Sequence, residues 1–300
     1  MMRLEIEGRF FEGPRWHDGR WWVSDMTNRT VSSLDAAGNL VSELKFEDRP
    51  SGLGWLSDGT MIVVAMDGRK LMSVSPVGTE PAIYVDLDAL CGDVAGYLND
   101  MVVTPDGHIY VGFDPDLEKY GFQSEAGAIF HVDPNRNLAV AATGLHFPNG
   151  LVVSGDGKTL IVAETGSPRL TAFTRSDRGA LHDRRLWAAI GEGADRRSDR
   201  TRPLELSAVG LDGCALATDG SIWVANSSST SCLRVAPDGA ILDAAFIPAP
   251  YRCLACALGG EDGRTLLLCG LKLSEDHDLQ ASVSHLFSYD LADPVRQPAG

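Results

Sequence analysis

The chain has no apolar run approaching the ~20 residues that a membrane span needs, so no transmembrane segment is expected. Its opening, Met1-Met2-Arg3-Leu4-Glu5-Ile6-Glu7, carries acids where a secretion signal needs an apolar core, and a cytoplasmic protein is expected. Positive charge is scarce: 26 Lys and Arg face 41 Asp and Glu, a formal net charge of −15. That balance argues against nucleic-acid phosphates and anionic membrane surfaces as partners. Cysteine is sparse too, six in 300 residues, too few for a disulfide scaffold. Cys253 and Cys256 have the spacing of half a zinc site or a redox motif. No second Cys or His pair stands at ribbon spacing, so they read as small apolar strand residues. A Gly-x-Ser-x-Gly elbow is missing, and no Ser-His-Asp set stands out.

What is present is a repeat. Asp-Gly recurs with its Asp at 18, 58, 106, 156, 219 and 262, giving spacings of 40, 48, 50, 63 and 43 residues. Each pair lies between two short apolar runs, as in Leu53-Gly54-Trp55-Leu56 before Asp58 and Thr60-Met61-Ile62-Val63-Val64-Ala65 after it. Asp-Gly suits a hairpin turn because glycine tolerates positive φ, and the flanking β-branched and aromatic residues suit strands. Third strands follow in most units, for example Lys70–Val74 and Ala128–Val132, and then a more variable fourth, such as Ala82–Val85. Four-stranded units of this length are propeller blades. The expected fold is all-β: one six-bladed β-propeller domain spanning residues 1–300. The sixth unit stops at its third strand, so Arg3–Glu7 is expected to supply its outer strand and close the ring.

Inner strands of a propeller line its axis, so equivalent positions face one point. Seven residues before each turn Asp stand Phe11, Ser51, Asn99, Asn149, Asp212 and Ala255, with Glu12 one residue beyond Phe11. Asn99, Asn149, Asp212 and Glu12 thus converge on the channel. Two carboxylates and two amide oxygens suit a hard divalent cation, Ca2+ before Zn2+, Mn2+, Mg2+ or Fe2+, and the absence of His and Cys disfavours a dedicated zinc or copper site. Asn and Asp at strand starts also serve as turn caps, the bland alternative.

The segments Glu12-Gly13-Pro14, Pro50-Ser51-Gly52-Leu53-Gly54-Trp55, Leu98-Asn99-Asp100, Pro148-Asn149-Gly150-Leu151 and Leu211-Asp212-Gly213 resemble blade starts of the gluconolactonase / senescence marker protein (regucalcin) / luciferin-regenerating enzyme family. The resemblance runs from about Phe11 to about Cys269. It implies a six-bladed propeller with one divalent metal in the channel, held by Glu12, Asn149 and Asp212, with Asn99 on the substrate side and also touching the metal. It implies a hydrolase that opens a lactone by metal-polarised attack of water, with Asp212 as the base. One departure stands out: sugar lactonases of the family often carry Arg two residues before the blade-3 Asn, and here that residue is Tyr97. A less hydroxylated or more aromatic substrate follows, or Tyr97 is merely a wall residue. His146 is read as a mouth residue or proton shuttle, with a surface role as the alternative. Three long segments, 114–127, 188–206 and 271–284, are expected at the channel mouth, the second carrying the arginine-rich run 196–202. Alternatives are a phosphotriesterase or esterase on the same metal, or a non-catalytic metal- or protein-binding propeller. The partner is a small molecule; oligomeric state is left open.

Overall fold

The structure, a computed structural model, describes residues 1–76, 80–191, 193–199 and 201–292. Six four-stranded antiparallel sheets stand around a central channel. Their innermost strands are Phe11–His17, Pro50–Trp55, Gly96–Val103, Pro148–Val153, Leu211–Leu216 and Arg252–Gly259 for blades 1 to 6. The expected six-bladed propeller is therefore observed. The last sheet is completed as expected: Met2–Gly8 pairs antiparallel with Val283–Asp290, with Arg3 opposite Phe287. Helix is confined to two single turns, Asp88–Cys91 and Leu117–Tyr120. No helix among the described residues is long and apolar enough to cross a membrane.

Middle strands are covered on both faces by neighbouring blades, which is why they read as unbroken apolar runs. Met61–Ala65 and Ile222–Asn226 are buried at every position, whereas the outer strand Leu181–Ala189 is largely exposed. Each fully buried Val, Leu or Ile side chain in such a strand stabilises the fold by about 1.5–3 kcal/mol. All six cysteines are buried and free, and the Cys256 thiol donates to the Trp223 carbonyl (3.3 Å), so this Cys-x-x-Cys pair is strand packing.

The Asp-Gly pairs form two kinds of turn. In blade 1, Asp18 and Gly19 are a two-residue turn, both at positive φ (47° and 71°), between paired His17 and Arg20. In blade 2 the pair sits inside a longer loop between Trp55 and Met61, closed by the Leu56 N–H on the Thr60 carbonyl (2.9 Å). Blade 3 repeats that loop between Val103 and Ile109. Counting back from Asp therefore runs one residue long in blade 1. The residue aligned with Ser51, Asn99, Asn149 and Asp212 is Glu12 itself, and Phe11 is a core residue (2% exposed).

At the turn end of the channel, a polar knot joins blades 3 and 4. His108 Nδ1 and His131 Nε2 are 2.7 Å apart, and Tyr110 stacks on His131. Tyr110 donates to the Gly179 carbonyl (2.6 Å) and accepts from Arg175 Nε, whose Nη2 holds Asp106. A Cβ at Gly179 would strike both imidazoles. Burial pushes His131 down to about 4, reinforced by His108, while Asp133 and Asp106 pull the other way. A histidine with a depressed folded-state value must remain neutral to fold, so its stabilisation is full above its ordinary value of 6.5 and is lost as pH falls toward about 4. The melting temperature should drop several degrees between about pH 7 and about pH 5, and less steeply in His131→Gln. Parallel pH profiles for the two proteins would show that the knot does not titrate in this window.

Candidate functional site: a bulged polar ring in the channel

The pairing of inner and second strands slips at the same level in all six blades: between Glu12 and Arg15, Pro50 and Leu53, Leu98 and Met101, Pro148 and Leu151, Leu211 and Cys214, and Cys253 and Ala255. A β-bulge re-aims a side chain that regular pleating would bury between strands. These six bulges hold the expected positions. Glycine follows the ring residue in blades 1, 2, 4 and 5 because the next inner strand passes there. A Cβ on Gly13 would lie 2.8 Å from the Ser51 carbonyl, and one on Gly150 would lie 2.5 Å from the Cys214 nitrogen. The recurrent polar-residue-then-glycine pattern thus records two demands, a polar group on the axis and close blade contact.

The structure brings Glu12, Asn99, Asn149 and Asp212 to this level, each 6–8% exposed. Ser51 Oγ donates to Asn99 Oδ1 (3.0 Å), and Asn99 Nδ2 donates to Asp114 Oδ2 (2.8 Å). Asn149 Nδ2 donates to Thr165 Oγ1 (3.3 Å), which itself donates to the Leu211 carbonyl (2.7 Å). Both amide nitrogens are anchored outward, leaving oxygen lone pairs for the axis. Glu12 Oε2 accepts from the Gly13 N–H (3.1 Å). Asp212 Oδ1 is buried with no hydrogen-bond partner among the described residues, and so is Asp114 Oδ1.

Burial raises the Glu12 carboxyl well above its usual range, and the nearby charges of Asp212 and Asp100 add to this. Asp212 is raised for the same reasons, by burial and then by Asp100 and Asp114. Asp114 is raised by burial, with the Asn99 amide opposing. A set of buried carboxylates that repel one another, two of them with an orphaned oxygen, is the arrangement that a cation would relieve. Among the described residues, no group of three or more His, Cys, Asp or Glu side chains is arranged as a metal site. The ring offers two carboxylates and two amides, an all-oxygen donor set that fits a hard divalent ion.

Arg15 floors the ring. Its Nη2 donates to Asp100 Oδ1 and to the Met101 carbonyl, and its Nη1 to the Pro14 carbonyl, all at 2.9 Å. Beyond it, at the turn end, opens a cavity of about 480 Å3 lined by Trp16, His17, Trp55 and Leu258 among others. This cavity thus lies on the far side of Arg15 from the polar ring. Its walls mix strand apolar residues with Arg15, His17, Asp18 and Glu261, and none of the ring residues Glu12, Asn99, Asn149 and Asp212 lines it.

Other expected residues are placed less centrally. Tyr97 stands beside Phe147, with ring centroids 6.3 Å apart. Burial, and then the neighbouring Asp114, push its hydroxyl well above the usual phenol range. His146 belongs to an ion network: its N–H donates to Glu164 Oε2 (2.8 Å), and Arg169 holds the same carboxylate. The segment 114–127 does reach the mouth, where Phe122 meets Phe147 (5.1 Å). Segment 271–284 also borders it, its Ser282 carbonyl accepting from Arg9. The arginine-rich segment does not lie there as expected. Asp195 bridges to Ile241 on the outer strand of blade 5, Arg196 pairs with Asp238 (2.8 Å) and Arg202 covers Phe246, so the run stitches the outer rim. Arg200 lies outside the described residues. Sequence reasoning missed Asp100, Asp114, Thr165 and Arg15. Adjacency to Asn99 was a signal for Asp100; Asp114 and Thr165 lie at or just past the ends of second strands, where no register had been counted.

A six-bladed propeller with a bulged, acidic oxygen ring at one end of its channel defines a class of channel-site propellers. Residues 10–270 match the model of the SMP-30/gluconolactonase/LRE-like region, and the chain belongs to that family. It is 24% identical over 260 residues to a 6-deoxy-6-sulfogluconolactonase of Pseudomonas putida, covering 83% of this chain and 77% of that one. It is 22% identical over 258 residues to regucalcin of Gallus gallus, covering 85% and 80%. Among solved structures, regucalcin of Agrobacterium tumefaciens, described as a calcium-binding protein, superposes with a TM-score of 0.76 at 18% identity, covering 100% of this chain and 98% of that one.

The Arg15–Asp100 pair is nearly sealed from solvent, with side chains 15% and 6% exposed. Arg15→Met should therefore destabilise the protein by about 3 kcal/mol in denaturant unfolding, because Asp100 is left charged and buried. Arg15→Met with Asp100→Asn should recover most of that loss. Additive losses in the double variant would show that the two residues act independently.

Proposed function

We propose that this protein is a divalent-metal-dependent lactonase that opens a cyclic ester at the entry end of the channel. The observation carrying this reading is the buried ring of Glu12, Asn99, Asn149 and Asp212 with an unpartnered Asp212 oxygen, in a family that includes a relative named as a sugar-acid lactonase. Glu12, Asn149 and Asp212 would hold the ion, with Asn99 beside them, and Ca2+ is the favoured occupant of an all-oxygen set. When bound, such an ion polarises the lactone carbonyl and stabilises charge developing on its oxygen.

The chain's own groups do the rest. Asn99, its amide oriented by Ser51 and Asp114, positions the substrate's ring. Asp212 takes the proton from the attacking water at its free oxygen as the carbon–oxygen bond forms. The ring C–O bond then breaks, and the leaving alkoxide recovers the proton from Asp212, giving an open hydroxy acid. Arg15 and its partners close the channel below the ring, so water and substrate meet only from the entry end. A phosphotriester or other ester reaching the same oxygen set is the second reading. A propeller that served only as a protein-binding platform has no need of this buried repulsion.

Chelator-treated protein should melt lower than protein returned to Ca2+, with the ion adding about 2.7 kcal/mol at a concentration a hundredfold above its dissociation constant. Asp212→Asn should lose that response and about 100-fold or more of the acid release from lactones followed with a pH indicator. A melting curve indifferent to chelator, together with metal-free protein by elemental analysis, would remove the ion from this account.

A further inference from the structure

A second layer lies directly above the polar ring. Two positions before the ring residues stand Phe10, Arg49, Tyr97, Phe147, Gly210 and Cys253, in blades 1 to 6. Three successive members touch. The Arg49 guanidinium lies 5.5 Å over the Tyr97 ring, and Tyr97 meets Phe147 edge to face. Phe122, 50% exposed, tilts onto Phe147 and extends this wall outward. Its backbone is pinned, because any side chain at Gly166 would run into the Phe122 carbonyl. The opposite arc is small, with Gly210 backed by the Ser227 and Ser228 hydroxyls.

Phe147 holds a left-handed φ of 58°, a conformation that non-glycine residues adopt rarely and mostly where the surroundings impose it. Arg49 supplies no free charge: Asp67 takes its Nε and Nη2 (2.8 and 2.6 Å). Below the wall the fixed charges are mainly negative, with Glu12, Asp100, Asp114 and Asp212 against Arg15. Hydroxyls placed against the Phe147 and Phe122 rings would leave water without gaining partners, and an anionic substituent would meet repulsion.

We infer that the substrate's substituent, the part of the lactone remote from the bond that breaks, is an apolar aryl or alkyl group lying against Tyr97, Phe147 and Phe122. This specificity rests on the lactonase reading above, and it turns the mouth from a carbohydrate site into an aromatic one. Aromatic rings offer a large apolar area with few rotamers to fix, so recognition there follows shape and area rather than hydrogen bonding.

The test has two arms, each run on Ca2+-loaded protein. In the first, kcat/KM is measured for a phenyl-substituted γ-butyrolactone and for glucono-lactone. The phenyl compound should be favoured about tenfold or more, and Tyr97→Asn and Phe147→Asn should each lower that ratio by raising KM for the phenyl compound. In the second, the corresponding lactams, whose amide bond resists hydrolysis, are titrated by calorimetry; the phenyl lactam should bind about tenfold more tightly, and less so in either variant. A ratio near one or favouring the sugar compound, in either arm, overturns the inference, and the lactonase reading stands as long as either lactone is hydrolysed. Tighter binding of the phenyl lactam without hydrolysis of either lactone overturns the lactonase reading and upholds the aromatic mouth.

Discussion

Like charge held out of water at the channel axis is the constraint on which this architecture turns. Glu12 and Asp212 sit 6–7% exposed within one another's field, with Asp100 and Asp114 behind them. A buried carboxylate costs several kcal/mol unless something opposes its charge. The structure opposes it from below with Arg15 and partly from the sides with amide and backbone N–H groups, and leaves one Asp212 oxygen unanswered. That unanswered oxygen points to the chemistry. A fold tolerates such a cost where it is offset by a ligand.

Much of this was legible in the sequence because the propeller repeats itself. Asp-Gly turns marked six hairpins, and their spacing gave the blade count. The closing role of the first strand followed from a missing outer strand in the last blade. Where the reading slipped, the cause was local. Blade 1 uses a two-residue turn, so a ruler set by the longer turns of blades 2 and 3 landed on Phe11 instead of Glu12. The bulges that aim the ring residues inward had no sequence mark of their own; only the glycine after the ring residue in blades 1, 2, 4 and 5 hinted that the backbone was crowded there.

The residues that escaped notice share a different trait. Asp114 and Thr165 lie at or just past the second-strand ends, and they reach the ring only because antiparallel pairing returns the chain to the level where it started. A register counted along first strands alone cannot see them. The arginine run failed for the opposite reason: its charge suggested a ligand, but Asp195, Asp238 and the Phe246 ring absorb Arg197, Arg196 and Arg202 on the outer edge of blade 5. His146, likewise conspicuous in sequence, is held by Glu164 together with Arg169. Charge in a sequence locates a site only when its neighbours leave it unneutralised.

The pairing of Met2–Gly8 with Val283–Asp290 has a consequence for how the protein is made. A ribosome delivers Met2–Gly8 before blades 1 to 5 and Val283–Asp290 after them, so the first of these strands must wait, edge exposed, while those blades are synthesised. Blades 1 to 5 can each assemble from contiguous segments, but the circle cannot seal until Val283–Asp290 has been made. During that interval the unpaired strand and the unfinished sixth blade are complementary surfaces open to the wrong partner, including another nascent copy. Acidic Glu7, exposed within that strand, suits this interval, since repulsion between identical edges discourages copies from pairing before the ring closes.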